Sequence, residues 1–433
     1  MFLIENMKDI FKKIISGWYA KSLPLLIERK DYSFQSNDIV AIIGPRRVGK
    51  TFFMFQQIKK ILLNHHKEEV LFLDFEDNRF VGIKTEELDE LFIAQKELSD
   101  KQLRFLFFDE IQEVKYWSKF LRRLHNENKY IIFISGSSST LLSKEIATEL
   151  RGRYKSIILL PFSFQEFLAL KHFVYTAKVE FSDEKGRLLR YFEEYLHYGG
   201  YPELVTMTDA EERRIKVKSY FETVFYKDLV ERHKITNYEV MGLLMNFLLN
   251  NCASLFSVSK FEAILKGRGL NVSKKTISLY LKYLEEAFFI YTVEEFSYSA
   301  RKRMMRPKKV YLIDTIFVTL LSEQFSPDNG KLLENVVLGE LKRKEKEVYF
   351  FKGQKECDFV VKRGNKIEQV IQVCYTLNEK NKDRELKGLK EAMDFFKLTE
   401  GFLLTQDQRE DIIFEGKKVK VRPVWKWLLE DKN

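Results

Sequence analysis

The sequence is poor in residues that break or staple a chain. Seven prolines in 433 residues are too few for long extended linkers, and an apolar fraction of 45% excludes an intrinsically disordered chain. The three cysteines, Cys252, Cys357 and Cys374, form no CxxC pair, and the six histidines form no ligand cluster. That excludes a disulfide framework and a structural zinc site, and it suits a reducing cytoplasm. No apolar run reaches the ~18 residues that a membrane helix needs, so no membrane partner is expected. The stretch from Met1 to Leu23 carries charges at helical spacing and reads as an amphipathic helix, not a signal peptide.

Charge is what the sequence has in excess. Charged residues make up 31%, with a net charge of +10. A basic balance suits nucleic acid or another anionic surface; a solvated lysine-rich surface is the plainer account. The length implies two or three domains.

"DIVAIIGPRRVGKTFFMFQQIKKIL" reads as a short apolar strand, a glycine turn and a helix. The turn, Gly44-Pro45-Arg46-Arg47-Val48-Gly49-Lys50-Thr51, is a full GxxxxGK[ST] match. Such a loop points its N–H groups inward at phosphates, and the helix N-terminus adds positive potential. Lys50 is the residue expected on the β- and γ-phosphates of ATP, and Thr51 the one expected on Mg²⁺. "RFLFFDEIQ" adds a buried strand ending in Asp109-Glu110, a Walker B arrangement. Asp109 would hold Mg²⁺ through water, and Glu110 would orient or deprotonate the attacking water. "YIIFISGSSS" ends in polar residues, with Ser137 placed as a γ-phosphate sensor. In "ELRGRY", Arg151 and Arg153 are candidates for an arginine finger, in cis or toward a neighbour, and the second case would require a homo-oligomer; a structural salt bridge accounts for each equally well. With "EVLFLDFED" between the two Walker motifs, the alternation predicts a parallel α/β sheet with nucleotide at the strand C-termini.

"IIGPRRVGKT", "FLFFDEIQ", "ISGSSSTLL", "LRGRY", "LPFSFQEFL" and "YGGYPELV" occur in this order, followed by "YFETVFYKDLVERH", "KKVYLIDTIF" and "LLENVVLGEL". The series resembles a large prokaryotic family, abundant in archaea, of AAA-like ATPases with a C-terminal domain. The resemblance implies an α/β P-loop core with a helical lid, then a winged helix, then a restriction-endonuclease-like α/β domain. The expected division is 1–160 for the ATPase core, 161–245 for the lid and connector, 246–320 for the winged helix and 321–433 for the nuclease-like domain.

The residues support the later parts in their own right. In "NVSKKTISLYLKYLEEA", Ser273 is placed as an N-cap and Ile277, Leu281 and Leu284 as the apolar stripe. Helix, turn, helix and β-hairpin make a winged helix, used on DNA or for protein contacts alone. Its candidate DNA cations are Lys274, Lys275 and Lys282 on the helix, and Arg301, Lys302, Arg303, Arg306, Lys308 and Lys309 on an acid-free wing from Ser299 to Lys309. Further on, "LLENVVLGELKRK", "ECDFVVKR" and "KIEQVIQVCY" resemble the PD-(D/E)xK pattern. The matching residues are Glu334, Asp358 and Gln372. Cys374 stands where that pattern has lysine, and a neutral thiol gives a developing phosphorane no positive charge. Lys352, Lys355 or Lys366 could substitute. The expectation is a nuclease fold with little or no cleavage, in a Mg²⁺-dependent, DNA-associated ATPase. The rival is a nucleotide-driven switch acting on a protein partner.

Overall fold

The computed structural model describes residues 6–29, 38–136, 150, 152–323 and 328–430. It comprises two compact units, Met1–Leu160 and Pro161–Asn433.

The first unit is built on five apolar strands: β1 (Ile39–Ile43), β2 (Val70–Asp74), β3 (Phe105–Asp109), β4 (Ile131–Gly136) and β5 (Tyr154–Ile158). All neighbours are parallel, in the order β2-β3-β4-β1-β5. The middle strands are apolar along both faces because helices cover both faces of such a sheet. The N-terminal helix Met7–Ala20 buries Phe11, Ile15 and Trp18, and Trp18 Nε1 donates to Val70 O at 2.7 Å. The order places β4 between β1 and β3. The loop after β1, the acidic pair at the end of β3 and the polar end of β4 therefore meet at one edge, the strand C-termini.

The second unit holds a nine-stranded sheet. Its strands are β6 (Ser254–Phe256), β7 (Ile290–Glu295), β8 (Lys308–Leu312), β9 (Glu347–Lys352), β10 (Glu356–Arg363), β11 (Lys366–Val373), β12 (Glu400–Thr405), β13 (Glu410–Phe414) and β14 (Lys417–Pro423). The order is β13-β14-β12-β11-β10-β9-β7-β8-β6. β7 runs parallel to β9, with Glu294 opposite Tyr349 and Glu295 opposite Phe350. One sheet thus crosses the boundary expected at 320. Before β7 stand two helices, Val258–Gly267 and Lys274–Glu286. Ser273 accepts from Thr276 N at 3.1 Å, and Ile277, Leu281 and Leu284 are buried. The helices between 161 and 245 pack within this unit: Lys185 pairs with Asp407 at 3.0 Å, and Glu193 accepts from Tyr375 Oη at 2.9 Å.

Two sequence motifs find their reason here. The Asp314 carboxylate, just past β8, accepts from Gly200 N at 2.8 Å and Ile316 N at 3.0 Å. Gly199 has φ +65°, and a Cβ there would lie 1.6 Å from Asp314 Oδ1, so only glycine lets the carboxylate in. "YGGYPELV" and "KKVYLIDTIF" are two halves of one contact. Asn335, from "LLENVVLGEL", accepts from Leu312 N at 2.9 Å and donates to Leu312 O at 3.0 Å.

Burial pushes the Asp314 carboxyl up from 3.8 to about 6, against the two backbone donors that favour its charge. The folded state therefore holds a proton that the unfolded chain has lost between these values, and stability falls as pH rises through that window. Asp314→Asn keeps an acceptor and has no proton to lose. Urea unfolding at about pH 4 and about pH 7 should show the wild type losing stability relative to Asp314→Asn at the higher pH; equal differences at both would refute the coupling.

Candidate functional site

Gly44 lies against β5: a Cβ would meet Leu159 O at 2.0 Å. Gly49, at φ +91°, turns the chain into the helix Lys50–Ile61. Lys50 is buried, and its Nζ reaches Gly44 O at 3.3 Å, Pro45 O at 3.2 Å and Glu110 Oε1 at 3.4 Å. Arg29 braces the loop from below, donating to Val48 O at 3.0 Å and Leu160 O at 2.7 Å. Arg46 pairs with Glu76 at 3.1 Å; Arg47 adopts φ +66°.

Asp109 is the hub. Its Oδ2 accepts from Thr51 Oγ1 at 2.5 Å and its Oδ1 from Ser135 Oγ. Ser135 Oγ also accepts from Glu110 N at 3.0 Å. That contact holds Glu110 in a left-handed conformation, φ +49°, with its carboxylate turned to Lys50 and to the amide of Gln112. Burial pushes the Asp109 carboxyl up to about 6, outweighing the two hydroxyl donors, and the charges of Glu110 and Asp74 add to the shift. Burial acts on Glu110 in the same direction but loses to Lys50, Gln112 and Arg46, which hold it below the ordinary carboxylate value. The two adjacent acids are thus set apart, one easily protonated and one firmly ionised. Thr51 and Asp109 have the oxygen chemistry and proximity that Mg²⁺ requires.

Ser137 and Arg151 lie outside the described residues. Arg153 corrects the expectation of a finger in cis. Its carbonyl accepts from Ile39 N at 3.0 Å, at the start of β1, and β5 begins at the next residue. It therefore sits at the opposite sheet edge, about 16 Å along β1 from the phosphate loop. There it lines an open hollow of about 660 Å³ with Lys119, Arg122, Arg123, Asn126 and Glu127.

In the second unit, Glu334, Asp358 and Gln372 do converge, and the cation among them is Lys309. Its ammonium lies 2.6 Å from Glu356, 2.9 Å from Asp358 and 3.0 Å from Glu334. Tyr311 Oη donates to Glu334 at 2.6 Å. Gln372 accepts from Asp358 N at 3.2 Å and donates to Glu385 at 2.7 Å. Burial and the charge of Asp358 push the Glu334 carboxyl up to about 7, against Lys309 and Tyr311. For Lys309, burial is outweighed by Asp358 and Glu334, so it stays charged. Cys374 is packed into the apolar core with Cys357, Leu386 and Leu389, and burial pushes its thiol up to about 12. Lys352, Lys355 and Lys366, the expected substitutes, are exposed.

Lys309 therefore does not belong to a DNA-facing wing: it is 3% exposed. Nor is the wing an unpaired loop. Ala300–Met305 forms a short helix. Lys308 and Arg303 pair with Glu294 at 3.0 and 3.7 Å, and Arg306 pairs with Glu295. On the preceding helix, Lys274 is 3.9 Å from Glu262 and Lys282 is 3.5 Å from Glu286. Arg301, Lys302 and Lys275 are exposed, with no ion-pair partner among the described residues. Around them stand Tyr298, Met304 and Met305, large apolar side chains about four-fifths exposed.

Comparison with known proteins agrees with the first unit's geometry. The AAA domain family model matches residues 36–168, and a domain of unknown function (DUF8612) matches residues 189–328. "Uncharacterized protein MJ1544" of Methanocaldococcus jannaschii is 40% identical over 98% of this chain and 96% of its own. The chain belongs to the family of that protein. An uncharacterized protein of Haemophilus influenzae is 28% identical over 94% of this chain and 99% of its own. Among solved structures, the Walker-type ATPase PABY2304 of Pyrococcus abyssi aligns at TM-score 0.41 and 13% identity, covering 74% of this chain and 96% of that one. The Orc1 protein of Aeropyrum pernix, in complex with DNA, aligns at TM-score 0.30 and 13% identity, covering 77% of this chain and 93% of that one. Residues 36–168 of this family member are an AAA-type P-loop ATPase domain. Among the described residues no helix is long and apolar enough to cross a membrane.

Sequence reasoning passed over Ser135, Arg29, Gln112, Tyr311 and Glu385. Ser135 carried a signal, being the one polar residue inside an otherwise apolar strand, "IIFISG". It touches both acids, so Ser135→Ala should lower ATP turnover by ~10- to 100-fold, the worth of a hydrogen bond to a charged group. Nucleotide binding, measured by fluorescent analogue titration, should change little; wild-type turnover in the variant would remove Ser135 from the site.

Proposed function

We propose that this protein is a Mg²⁺-dependent ATPase that engages DNA through its second unit, in which a winged helix is joined to a nuclease-like layer that does not cut. The observation that carries the ATPase part is the convergence of Lys50, Thr51, Asp109, Glu110 and Ser135 at one sheet edge. On this reading the loop N–H groups from Gly44 to Thr51 cradle the phosphates. Lys50 exchanges its carbonyl contacts for phosphate oxygens. Thr51 and Asp109 would hold Mg²⁺, which would supply positive charge against the phosphate oxygens. Glu110, ionised and held by Ser135, orients the attacking water and takes its proton. Glu110→Gln should keep nucleotide binding and lose turnover; Lys50→Ala should lose both.

DNA engagement is supported by the net charge of +10 and by exposed Lys275, Arg301 and Lys302. One observation favours the second reading, a switch acting on a protein partner. Glu294 and Glu295 pair with three of the wing's cations and offset two of those charges, while Tyr298, Met304 and Met305 give its tip an apolar character.

Salt separates the two. Each phosphate contact releases counterions and adds ~0.9 to the slope of log K against log salt on duplex DNA. The triple change Lys275→Gln, Arg301→Gln and Lys302→Gln should flatten that slope by ~2–3 without regard to sequence. ATPase activity should respond to single-stranded, duplex or branched DNA. An unchanged slope together with DNA-indifferent turnover would leave the protein-partner reading standing.

A further inference from the structure

The nuclease-like pattern implies a divalent metal between Glu334, Asp358 and the residue at 372, and the residues here do not fit one. Mg²⁺ takes six oxygens in a near-ideal octahedron at ~2.0–2.1 Å. Four side-chain oxygens of this cluster are already hydrogen-bonded. Asp358 Oδ1 accepts from Lys309, and Oδ2 from Val373 N at 3.0 Å. Glu334 Oε1 accepts from both Lys309 and Tyr311. Gln372 spends its carbonyl on Asp358 N and its amide on Glu385.

We infer that Lys309 is itself the resident cation of this centre: its ammonium stands between Glu334, Glu356 and Asp358 where a divalent ion would have to sit, closing the layer to metal-dependent cleavage and tying β8 to the helix Asn329–Arg343 and to β10. An ammonium has three N–H donors, and three carboxylates lie within 3.0 Å of it. The side chain is buried, with the ammonium 5.9 Å from the centre of the Phe350 ring. A metal entering beside the ammonium would meet a like charge in a place of low polarisability. A metal entering in its stead would have to expel a side chain anchored within the sheet. The charge of the lysine missing at 374 is present, but it comes from β8 and is spent on holding the fold.

This deepens the nuclease-like reading of the layer and rests on it. The metal and melting arms of its test involve no DNA, so they stand or fall apart from the DNA-binding reading. The full chain is used without nucleotide. Mn²⁺ uptake is followed by electron paramagnetic resonance in wild type and in Asp358→Asn, which conserves shape. The two should bind the same number of ions with the same affinity, and neither should nick plasmid DNA. A Mn²⁺ site or a nicking activity present in wild type and lost in Asp358→Asn overturns the inference. The second arm removes the cation. Lys309→Met leaves buried carboxylates uncompensated and should melt well below wild type, whereas Lys309→Met/Glu334→Gln/Asp358→Asn, which removes the two buried carboxylates and leaves only the more exposed Glu356 charged, should recover much of the loss. Mn²⁺ should raise the melting temperature of the single variant and not that of the triple. A single variant as stable as wild type, a triple no more stable than the single, or a Mn²⁺ response equal in the two would each refute Lys309 as the resident cation. If the single variant does not fold, the melting of the triple against wild type and the Mn²⁺ comparison of wild type with Asp358→Asn still decide.

Discussion

Buried polar groups must find partners, and in the second unit that demand falls on one strand. β8 and the residue pair after it put four polar residues or backbone groups into the interior. Lys309 meets Glu334 and Asp358, Tyr311 meets Glu334, the backbone of Leu312 is clamped by Asn335, and Asp314 takes the amide of Gly200. Lys309 and Tyr311 are two apart on a strand, so they share a face, and that face is the one Glu334 approaches. Leaving one such group unpaired costs ~1–3 kcal/mol, more if it is charged. The hairpin, the helix Asn329–Arg343, β10 and the turn at Gly199-Gly200 are thereby held to a single arrangement. The parallel pairing of β7 with β9 follows from it, since β8 cannot reach Asp358 unless its hairpin lies against that sheet.

The nucleotide site was legible because its chemistry is local. Glycines, lysine and threonine stand within eight positions of one another, and a strand ending in two acids needs only the parallel-sheet rule to be brought beside them. Ser135 is hidden in the sequence because it lies inside an apolar run, whose pattern marks a buried strand and gives its one hydroxyl no role. The place of Arg153 is not legible in the sequence, because a linear sequence does not say which end of a strand faces the ligand; the register of β5 on β1 does.

The second centre was only half legible for a different reason. Its members come from positions 309, 334, 358, 372 and 385, and pattern matching covers only the part that a known family spells out. Lys309 was counted with its neighbours as a wing cation because composition cannot see burial. The ion pairs of Arg303, Arg306 and Lys308 were within reach of the sequence. Glu294 and Glu295 lie on the strand that the hairpin pairs with β8, so a stretch without acids in sequence is not without acids in space.

The departures from the nuclease pattern then make sense together. Glutamine at 372 is not merely a carboxylate lost: its amide donates to Glu385 at 2.7 Å, and a glutamate there would set two carboxylates against each other inside the protein. Cys374 is close enough to feel the charges of Glu385 and Asp358. A lysine in its place would bring a second ammonium to Asp358, which Lys309 already holds at 2.9 Å, and would have to fit a long stem among Leu386, Leu389 and Cys357, where overpacking costs ~1–3 kcal/mol. Each substitution taken alone looks like decay of a catalytic site. Around a buried Lys309 they are one consistent set: the cation comes from β8, so position 374 is free to be apolar, and the amide at 372 can serve Asp358 and Glu385 at once.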